Sequence, residues 1–227
     1  MVDSWSVGNG STQIGRNPSA DWARTLSRRR KIQGPAKRSL DILFALSATI
    51  GLSWLFIAIA VAIAVTTRGP ILFRQRRTGL NGRVFTIYKF RTMTVAEDGD
   101  IVPHTTRNDP RVTRMGAVLR RTSLDELPQV INILRGDMSV VGPRPHAVAQ
   151  DRHYGALIPR YGDRFQVRPG LTGLAQVQGL RGEIKRLECM ARRIDADTEY
   201  NASWSLLGDL AIMARTVPLL LDQVNAH

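Results

Sequence analysis

A run of 24 uncharged residues, Ile42 to Val65, constrains the fold more than any other feature of this sequence. At about 1.5 Å per residue, a helix of this length reaches roughly 36 Å, which is long enough to cross a bilayer. Residues 1–41 precede the run and no small-residue cleavage site follows it, so a secretory signal peptide is disfavoured. The sequence therefore predicts a membrane helix that stays in the mature protein.

Basic residues flank this run on both sides. Residues 1–40 carry eight Lys or Arg, and residues 66–91 carry seven together with no acidic residue. The positive-inside rule assigns both flanks to the cytoplasm, which a single crossing cannot satisfy. Ser, Thr and Gly at residues 47–53 divide the run into halves of about 17 Å, and their hydroxyls can satisfy backbone carbonyls at a bend, although no proline forces one. The residues alone leave a spanning helix and a re-entrant helix equally open.

The chain as a whole is strongly basic, with 32 Lys and Arg against 19 Asp and Glu and a formal net charge of +13. Such a surface favours nucleic acid, phosphorylated substrates or the anionic face of a membrane as partners. A single cysteine excludes an intramolecular disulfide and a cysteine-built zinc site, and the four histidines show no metal-ligand spacing. The sequence also lacks the Walker and Gly-x-Gly-x-x-Gly motifs, which disfavours the common nucleotide-binding folds.

Local patterns predict the order of the elements. Strands are predicted at residues 71–75 and 84–91, joined through a turn at Asn81-Gly82, and at 138–141. Helices are predicted at residues 113–121, 124–134, 183–200 and 204–221. The chain then divides into a mobile basic tail at 1–36, a membrane helix at 37–67 and a folded domain at 68–227.

An acidic pair, Asp125 and Glu126, is the sharpest candidate for chemistry. One interpretation is purely structural, because Ser123 and Glu126 have the spacing of a helix capping box. However, Pro128 suits only the first turn of a helix, so a helix that begins near Glu126 would leave Asp125 at its cap. There the helix dipole favours a negative charge, and Arg120 lies one turn upstream. A carboxylate so placed can attack phosphorus, and the pair offers oxygen ligands to Mg²⁺.

Two basic features accompany the acidic pair. Arg144 lies between two prolines, which restrict the backbone and would present its guanidinium from a stiff support to a phosphate. Lys89 and Arg91 alternate along a predicted strand. The purely structural alternatives are that Arg144 lies by chance on a rigid exposed turn, and that Lys89 and Arg91 form the polar face of a strand. Together with the acidic pair, these residues indicate phosphoryl chemistry on an anionic substrate.

Seven short motifs occur in order between Lys37 and Leu221. They are Lys-Arg-Ser-Leu-Asp at residues 37–41, Tyr-Lys-Phe-Arg-Thr-Met at 88–93, Asn-Asp-Pro-Arg-Val-Thr at 108–113, Ser-Leu-Asp-Glu-Leu-Pro-Gln at 123–129, Arg-Gly-Asp-Met-Ser at 135–139, Gly-Pro-Arg-Pro at 142–145 and Arg-Pro-Gly-Leu-Thr-Gly at 168–173. With these motifs the chain resembles the small monotopic phosphoglycosyl transferases, also called bacterial sugar transferases, which begin exopolysaccharide and glycoconjugate assembly.

The resemblance implies a transfer in two steps. Asp125 matches the nucleophile that takes a sugar-1-phosphate from a UDP-sugar and releases UMP, and Glu126 matches its acidic partner. The phosphosugar then passes to undecaprenyl phosphate, with Mg²⁺ required and the acidic pair as its expected ligands. Residues 142–149 and 174–183 resemble the branch that uses hexoses, especially glucose, while galactose or an N-acetylated sugar stays open. Substrate-binding roles are implied for Lys89, Arg91, Arg120, Arg144, Pro145 and Asp197.

The resemblance also implies a fold class. It is an α/β, mostly helical, small cytoplasmic catalytic domain at 68–227, with an N-terminal re-entrant membrane helix and interfacial amphipathic helices. Family members commonly carry Ser-Pro in the middle of the membrane helix, whereas Trp54 follows Ser53 here. The doubled basic flank independently favours re-entry, so we expect the amino terminus and the catalytic domain on the cytoplasmic face of the bacterial inner membrane.

The expected partners are a UDP-sugar, undecaprenyl phosphate and the lipid bilayer, with no nucleic acid, and a homodimer is left open. Two alternatives come from other classes. A membrane-anchored nucleic-acid-binding protein would account for the basic charge but not for an acidic pair among arginines. A non-catalytic scaffold for polysaccharide export would keep the fold and make Asp125 dispensable.

Overall fold

The computed structural model describes residues 32, 34–94, 109–182, 184 and 186–221. Its helices are α1 (Pro35–Gly51), α2 (Ser53–Thr66), α3 (Arg114–Arg121), α4 (Val130–Arg135), α5 (Val148–Leu157), α6 (Leu174–Val177), α7 (Leu187–Ser203) and α8 (Leu206–Leu221). Its strands are β1 (Leu72–Thr78), β2 (Val84–Phe90), β3 (Ser139–Val141) and β4 (Gly170–Thr172). The prediction of a mostly helical α/β domain is confirmed, while nearly all of the predicted tail at 1–36 lies outside the described residues.

The apolar run forms two helices rather than one. α1 and α2 are bent by 63° relative to each other, and Leu52 lies at the break. Hydroxyls on either side of the break donate to carbonyls of α1: Thr49 Oγ1 donates to that of Ala45 at 2.7 Å and Ser53 Oγ to that of Ile50 at 2.9 Å. None of the described helices is by itself long and apolar enough for a membrane span, whereas α1 and α2 together meet that requirement of length and composition.

The first half of this run is part of the domain core. Ala45 is fully buried and packs with residues of β2, α4 and β3. The carboxylate of Asp41, also buried, accepts hydrogen bonds from Ser139 Oγ at 2.8 Å and from the backbone N–H of Val140 at 2.9 Å. Arg38 donates to the carbonyls of Ile133 and Leu134 at the end of α4, where basic groups complement the helix dipole. α1 therefore supports β3 and α4 directly.

β1 and β2 form the predicted antiparallel hairpin, with Leu72 opposite Phe90 and Thr78 opposite Val84. Its turn contains Asn81 and Gly82 at φ values of 56° and 75°, the left-handed region that these two residue types tolerate best. β2 packs against a 3₁₀ helix at Leu124–Gln129. The hairpin thus places Lys89 of β2 beside the acidic pair.

β3 and β4 form a second, parallel pair, with Ser139 opposite Gly170 and Val141 opposite Thr172. The backbones approach so closely that a Cβ on Gly170 would lie 2.1 Å from the nitrogen of Gly142. The Gly170 N–H also donates to the carbonyl of Pro143 at 2.9 Å. This sheet therefore fixes the start of the segment that carries Arg144.

The α-helix predicted at residues 124–134 begins later in the structure than the sequence predicts. Leu124–Gln129 is a 3₁₀ helix, and the α-helix begins only at Val130, because Pro128 has no N–H to continue a regular helical ladder. Ser123 adopts a left-handed conformation at φ 54° and its side chain caps no described backbone group. The structure therefore has neither the capping box nor an α-helix that begins near Glu126 with Asp125 at its cap.

Candidate active site

A cleft of about 640 Å³ contains the acidic pair. Its charged end is lined by Lys89, Asp125, Glu126 and Arg144. Apolar side chains of several elements line the rest of the cleft, including Phe44, Ala48 and Leu52, which occur at every fourth position from α1 to the bend. Because that spacing puts side chains on one face of a helix, a single face of the apolar run forms a wall of the cleft.

Glu126 forms ion pairs with two basic residues from different elements. Its Oε1 lies 2.6 Å from Lys89 Nζ on β2 and 2.5 Å from Arg144 Nη2, and its Oε2 accepts from Arg144 Nη1 at 3.1 Å. Burial acts to raise the pKa of Glu126, but the charges of Arg144 and Lys89 outweigh it and hold this pKa far below its ordinary value. Glu126 is therefore ionised at neutral pH and fixes both cations at the charged end.

The basic partners respond in opposite ways. Burial lowers the pKa of Lys89 against the opposing charge of Glu126. The pKa of Arg144 is raised, chiefly by the charge of Glu126. In both cases the carboxylate of Glu126 favours the charged form of the group that faces it.

Asp125 differs from its neighbour in having an open carboxylate. Among the described residues no hydrogen bond or ion pair engages it, although the charges of Lys89, Arg120 and Arg144 are near enough to act on it. Burial raises the pKa of Asp125 to about 6, the charge of Lys89 lowers it, and that of Glu126 raises it further. At neutral pH most Asp125 is ionised, so a free anionic oxygen faces a cationic cleft, as a nucleophile toward phosphorus requires.

The two carboxylates of the acidic pair are not equally open to a magnesium ion. The described residues contain no group of three or more His, Cys, Asp or Glu that could hold a metal ion. Both oxygens of Glu126 are engaged by Lys89 and Arg144, which leaves Asp125 as the open carboxylate. Mg²⁺ commonly binds through one or two carboxylates together with substrate phosphates. The residues therefore fit a magnesium ion that Asp125 would hold together with a phosphorylated substrate, and a magnesium ion held by Asp125 and Glu126 stays a prediction.

The structure does not bring Arg91 to this cleft. β2 ends at Phe90, and the buried guanidinium of Arg91 donates to the carbonyl of Arg68 at 2.7 Å and to Thr67 Oγ1 at 2.6 Å. These acceptors follow the carboxyl end of α2, where the helix dipole favours a cation. A substrate-binding role for Arg91 stays a prediction, and the described contacts of its guanidinium are those of a residue that anchors the end of α2.

Comparison with known proteins identifies the family. The model of the bacterial sugar transferase family matches residues 32–223. The chain belongs to the bacterial sugar transferase family. It is 54% identical over 191 residues to the UDP-glucose:undecaprenyl-phosphate glucose-1-phosphate transferase of Caulobacter vibrioides, which covers 84% of this chain and 72% of that protein. It is 48% identical to the protein of the same name from Escherichia coli, over 80% of this chain and 39% of the relative.

A third relative has a length closer to that of the present chain. The exopolysaccharide production protein PSS of Rhizobium leguminosarum is 45% identical, over 80% of this chain and 92% of that protein. The chain thus spans about two fifths of the length of the E. coli relative and nearly all of the Rhizobium one. The predicted enzyme class, transfer of a sugar-1-phosphate, is confirmed, and the family match favours it over the nucleic-acid-binding and scaffold alternatives.

The remaining predicted residues of this bacterial sugar transferase lie at or behind the cleft wall. Arg120 lines the cleft and is partly buried. Pro145 is buried beside Arg144 and its carbonyl accepts from Arg77 Nη1 at 3.0 Å, so it acts through the backbone. Asp197 borders the cleft, but its Oδ2 lies 3.0 Å from Arg164 Nη2 and it is only 3% exposed. Burial raises the pKa of Asp197 to about 6 while Arg164 lowers it.

Sequence reasoning missed several cations of this bacterial sugar transferase. Arg77, Arg164, Arg181 and Arg193 also line the cleft. Only Arg77 has a weak signal in the sequence, since it lies two residues after buried Gln75 and therefore on the same, inward face of β1. Arg164 carries no local signal for its contacts with Arg144 and Asp197, because both lie on segments remote in sequence.

Proposed function

We propose that this protein transfers glucose-1-phosphate from UDP-glucose to undecaprenyl phosphate, with release of UMP, as the initiating step of exopolysaccharide assembly. One observation carries the proposal: a single cleft joins an open carboxylate among cations to an apolar wall from α1. Such a cleft suits two substrates of different character, a nucleotide sugar and a lipid phosphate. The names of the relatives from Caulobacter and E. coli support glucose as the sugar.

In the first step, an oxygen of Asp125 attacks the phosphorus that bears the sugar. The bond between that phosphorus and the UMP oxygen breaks, UMP leaves, and an aspartyl phosphosugar forms. In the second step, an oxygen of undecaprenyl phosphate attacks the same phosphorus. The aspartyl bond breaks, the carboxylate is regenerated, and the product is a lipid diphosphate sugar. Two easier steps replace one transfer between substrates of very different solubility.

The other charged residues act on the phosphoryl group. Arg144 presents a planar fork that matches phosphate oxygens, and Lys89 supplies a compact charge beside it. Because Glu126 binds both, each cation is already in place when negative charge develops, which lowers the cost of reorganisation. Mg²⁺, when held by Asp125 and the donor phosphates, would supply further neutralising charge.

The apolar end suits the isoprenoid chain of the acceptor. Phe44, Ala48 and Leu52 face the cleft from the apolar run, and Met213 and Val217 face it from α8. Residues on the outer sides of the same helices are exposed, among them Ile50 at 74% and Leu207 at 78%. Large exposed apolar surface of this kind is typical of contact with a membrane.

We further propose that α1 and α2 enter the bilayer and return to the cytoplasmic face, with α8 at the interface. The bend at Leu52 and the basic flanks on both sides support re-entry. The catalytic cleft would then lie at the cytoplasmic face, where a soluble UDP-sugar and a membrane-held lipid phosphate can meet.

Release of UMP from a panel of UDP-sugars tests the function. The purified full chain with Mg²⁺ and undecaprenyl phosphate should release UMP from UDP-glucose in preference to UDP-galactose and UDP-N-acetylglucosamine. Without the lipid, UMP release should stop at an amount near one per active site. A preference for another sugar would refute the glucose assignment. Continued UMP release only when lipid is present, with no burst in its absence, would refute the covalent step and keep the transfer.

A further inference from the structure

The backbone that presents Arg144 is held by two arginines from other elements. Arg164 Nη2 donates to the carbonyl of Arg144 itself at 2.5 Å, and Arg77 Nη1 donates to the carbonyl of Pro145 at 3.0 Å. The prolines at 143 and 145 restrict the same segment covalently. Arg144 therefore extends from a short stretch of chain whose position is set by bonds on more than one side.

Arg164 is itself fixed by partners on three sides. It lies on a 3₁₀ helix at Tyr161–Gln166 and is only 3% exposed. Its guanidinium pairs with Asp197 at 3.0 Å, donates to Tyr161 Oη at 3.0 Å and contacts His146 Nδ1. Tyr161 Oη donates in turn to Asp151 at 2.7 Å. One planar group thus joins α7, the 3₁₀ helix and the segment after β3.

The protonation of the neighbours agrees with this arrangement. Burial, together with the charge of Arg164, holds the pKa of His146 well below its ordinary value. A neutral imidazole can accept a hydrogen bond from the guanidinium, whereas a charged one would repel it. The network therefore has one buried cation, Arg164, facing the carboxylate of Asp197 and the acceptors around it.

We infer that Arg164 is a positioning residue for sugar-phosphate transfer, because it holds the carbonyl of Arg144 and so sets where the Arg144 guanidinium meets the transferred phosphate. This inference rests on the proposed function, in which Arg144 binds that phosphate. Lysine at position 164 would keep a charge for Asp197, but a single ammonium lacks the planar fork that reaches Asp197, Tyr161 and the Arg144 carbonyl at the same time. Arg164→Lys should therefore displace Arg144 without removing a charge.

A double-mutant cycle on kcat/KM for UDP-glucose tests the link. Arg164→Lys and Arg144→Lys should each lower kcat/KM at least about tenfold, since a bidentate contact is lost or displaced. If Arg164 acts through Arg144, the double variant should be within about threefold of Arg144→Lys alone, because coupled residues are not additive. Losses that multiply in the double variant would overturn the inference. Arg160→Lys is the matched control: this arginine of the preceding turn is 71% exposed by its side chain, and kcat/KM should stay within about twofold.

A second variant and a second readout separate other failures. If Arg164→Lys does not fold, Asp197→Asn keeps the shape of the ion-pair partner and should show the same non-additivity with Arg144→Lys. If the wild-type chain turns over no UDP-sugar, the proposed function fails, and stability then tests the link. Arg144 is held by Arg164 through its backbone and by Glu126 through its side chain. If the two contacts are coupled, the double variant Arg164→Lys/Glu126→Gln should lose less Tm than the sum of the losses of the two single variants. Additive falls in Tm would overturn the inference without any assay of activity.

Discussion

Lys37 Nζ lies 2.8 Å from Oδ2 of Asp209, so that a buried ion pair joins the first turn of α1 to α8. Tyr200 Oη and Trp204 Nε1 also donate to Asp209, at 2.8 and 3.0 Å, and Lys37 donates to the carbonyl of Val141 at 2.9 Å. Every polar group of the pair thus has further partners, which is the condition for a buried pair to be tolerated. Through Val141, the helix of the apolar run is bonded to the strand that leads to Arg144.

Lys37→Met should destabilise the folded domain strongly. Removal of the ammonium leaves the carboxylate of Asp209 buried opposite an apolar side chain, and breaking one partner of such a pair costs about 3–5 kcal/mol. The free energy of unfolding, measured by denaturant titration in detergent, should fall by that amount. Arg192→Met on the exposed side of α7 is the control and should change it by no more than about 0.5 kcal/mol. Equal small effects of both changes would contradict the importance of the pair.

Asp125→Asn should abolish UMP release both with and without the lipid acceptor. The amide has nearly the shape of the carboxylate but is a poor nucleophile toward phosphorus. Mass spectrometry of the wild-type chain with UDP-glucose should detect a phosphosugar on Asp125, and the variant should carry none. Asp195→Asn, on the exposed side of α7, should behave as wild type. A competent Asp125→Asn variant would exclude Asp125 as the nucleophile.

Activity should fall on acidification with a midpoint near pH 6. Burial raises the pKa of Asp125 to about 6, so the nucleophilic anion prevails above that pH and is protonated below it. The burst of UMP in the absence of lipid should follow this profile. Burial also raises the pKa of Asp197 to about 6, but this residue faces Arg164. Asp197→Asn should therefore reduce the rate at every pH, and its activity should still fall on acidification near pH 6. If the activity of Asp197→Asn no longer fell on acidification, the group that titrates near pH 6 would be Asp197 and not Asp125.

Local chemistry made part of this architecture predictable. The hairpin followed from Asn81-Gly82, because a left-handed turn restricts the residues that can form it. The acidic pair followed from its charged surroundings, and the polar centre of the apolar run marked where a bend could form without deciding that one does. Each of these signals lies within a few residues of the feature that it predicts.

Features that depend on remote contacts were not predictable. Arg164 contacts the carbonyl of Arg144, and Lys37 contacts Asp209, yet no local pattern in the sequence records either contact. For Arg91 a local pattern was extended too far. The predicted strand included Arg91, whereas β2 ends at Phe90 and the guanidinium of Arg91 contacts Arg68 instead. The left-handed Ser123 likewise replaced a helix cap with a tight turn.

Arg91→Gln should impair stability and leave substrate binding unchanged. Its guanidinium bonds Thr67 and the carbonyl of Arg68, and removal of a charged donor from buried acceptors costs about 1–3 kcal/mol. The free energy of unfolding should fall accordingly, while KM for UDP-glucose stays within about twofold of wild type. Lys89→Gln removes a cation two residues earlier, on β2 and at the cleft, and should instead impair kcat/KM. A raised KM in Arg91→Gln would restore Arg91 to the substrate site.

Glu126→Gln should lower activity and shift the fall in activity on acidification to a lower pH. The amide cannot hold Lys89 and Arg144 as a carboxylate does, so both cations should turn toward the open carboxylate of Asp125. Because the charge of Glu126 raises the pKa of Asp125, its removal should lower that pKa and extend the ionised range below pH 6. A nucleophile paired with two cations is less reactive, so the rate at neutral pH should fall at least about a hundredfold. A variant with full activity and an unmoved pH profile would show that Glu126 does not organise this site.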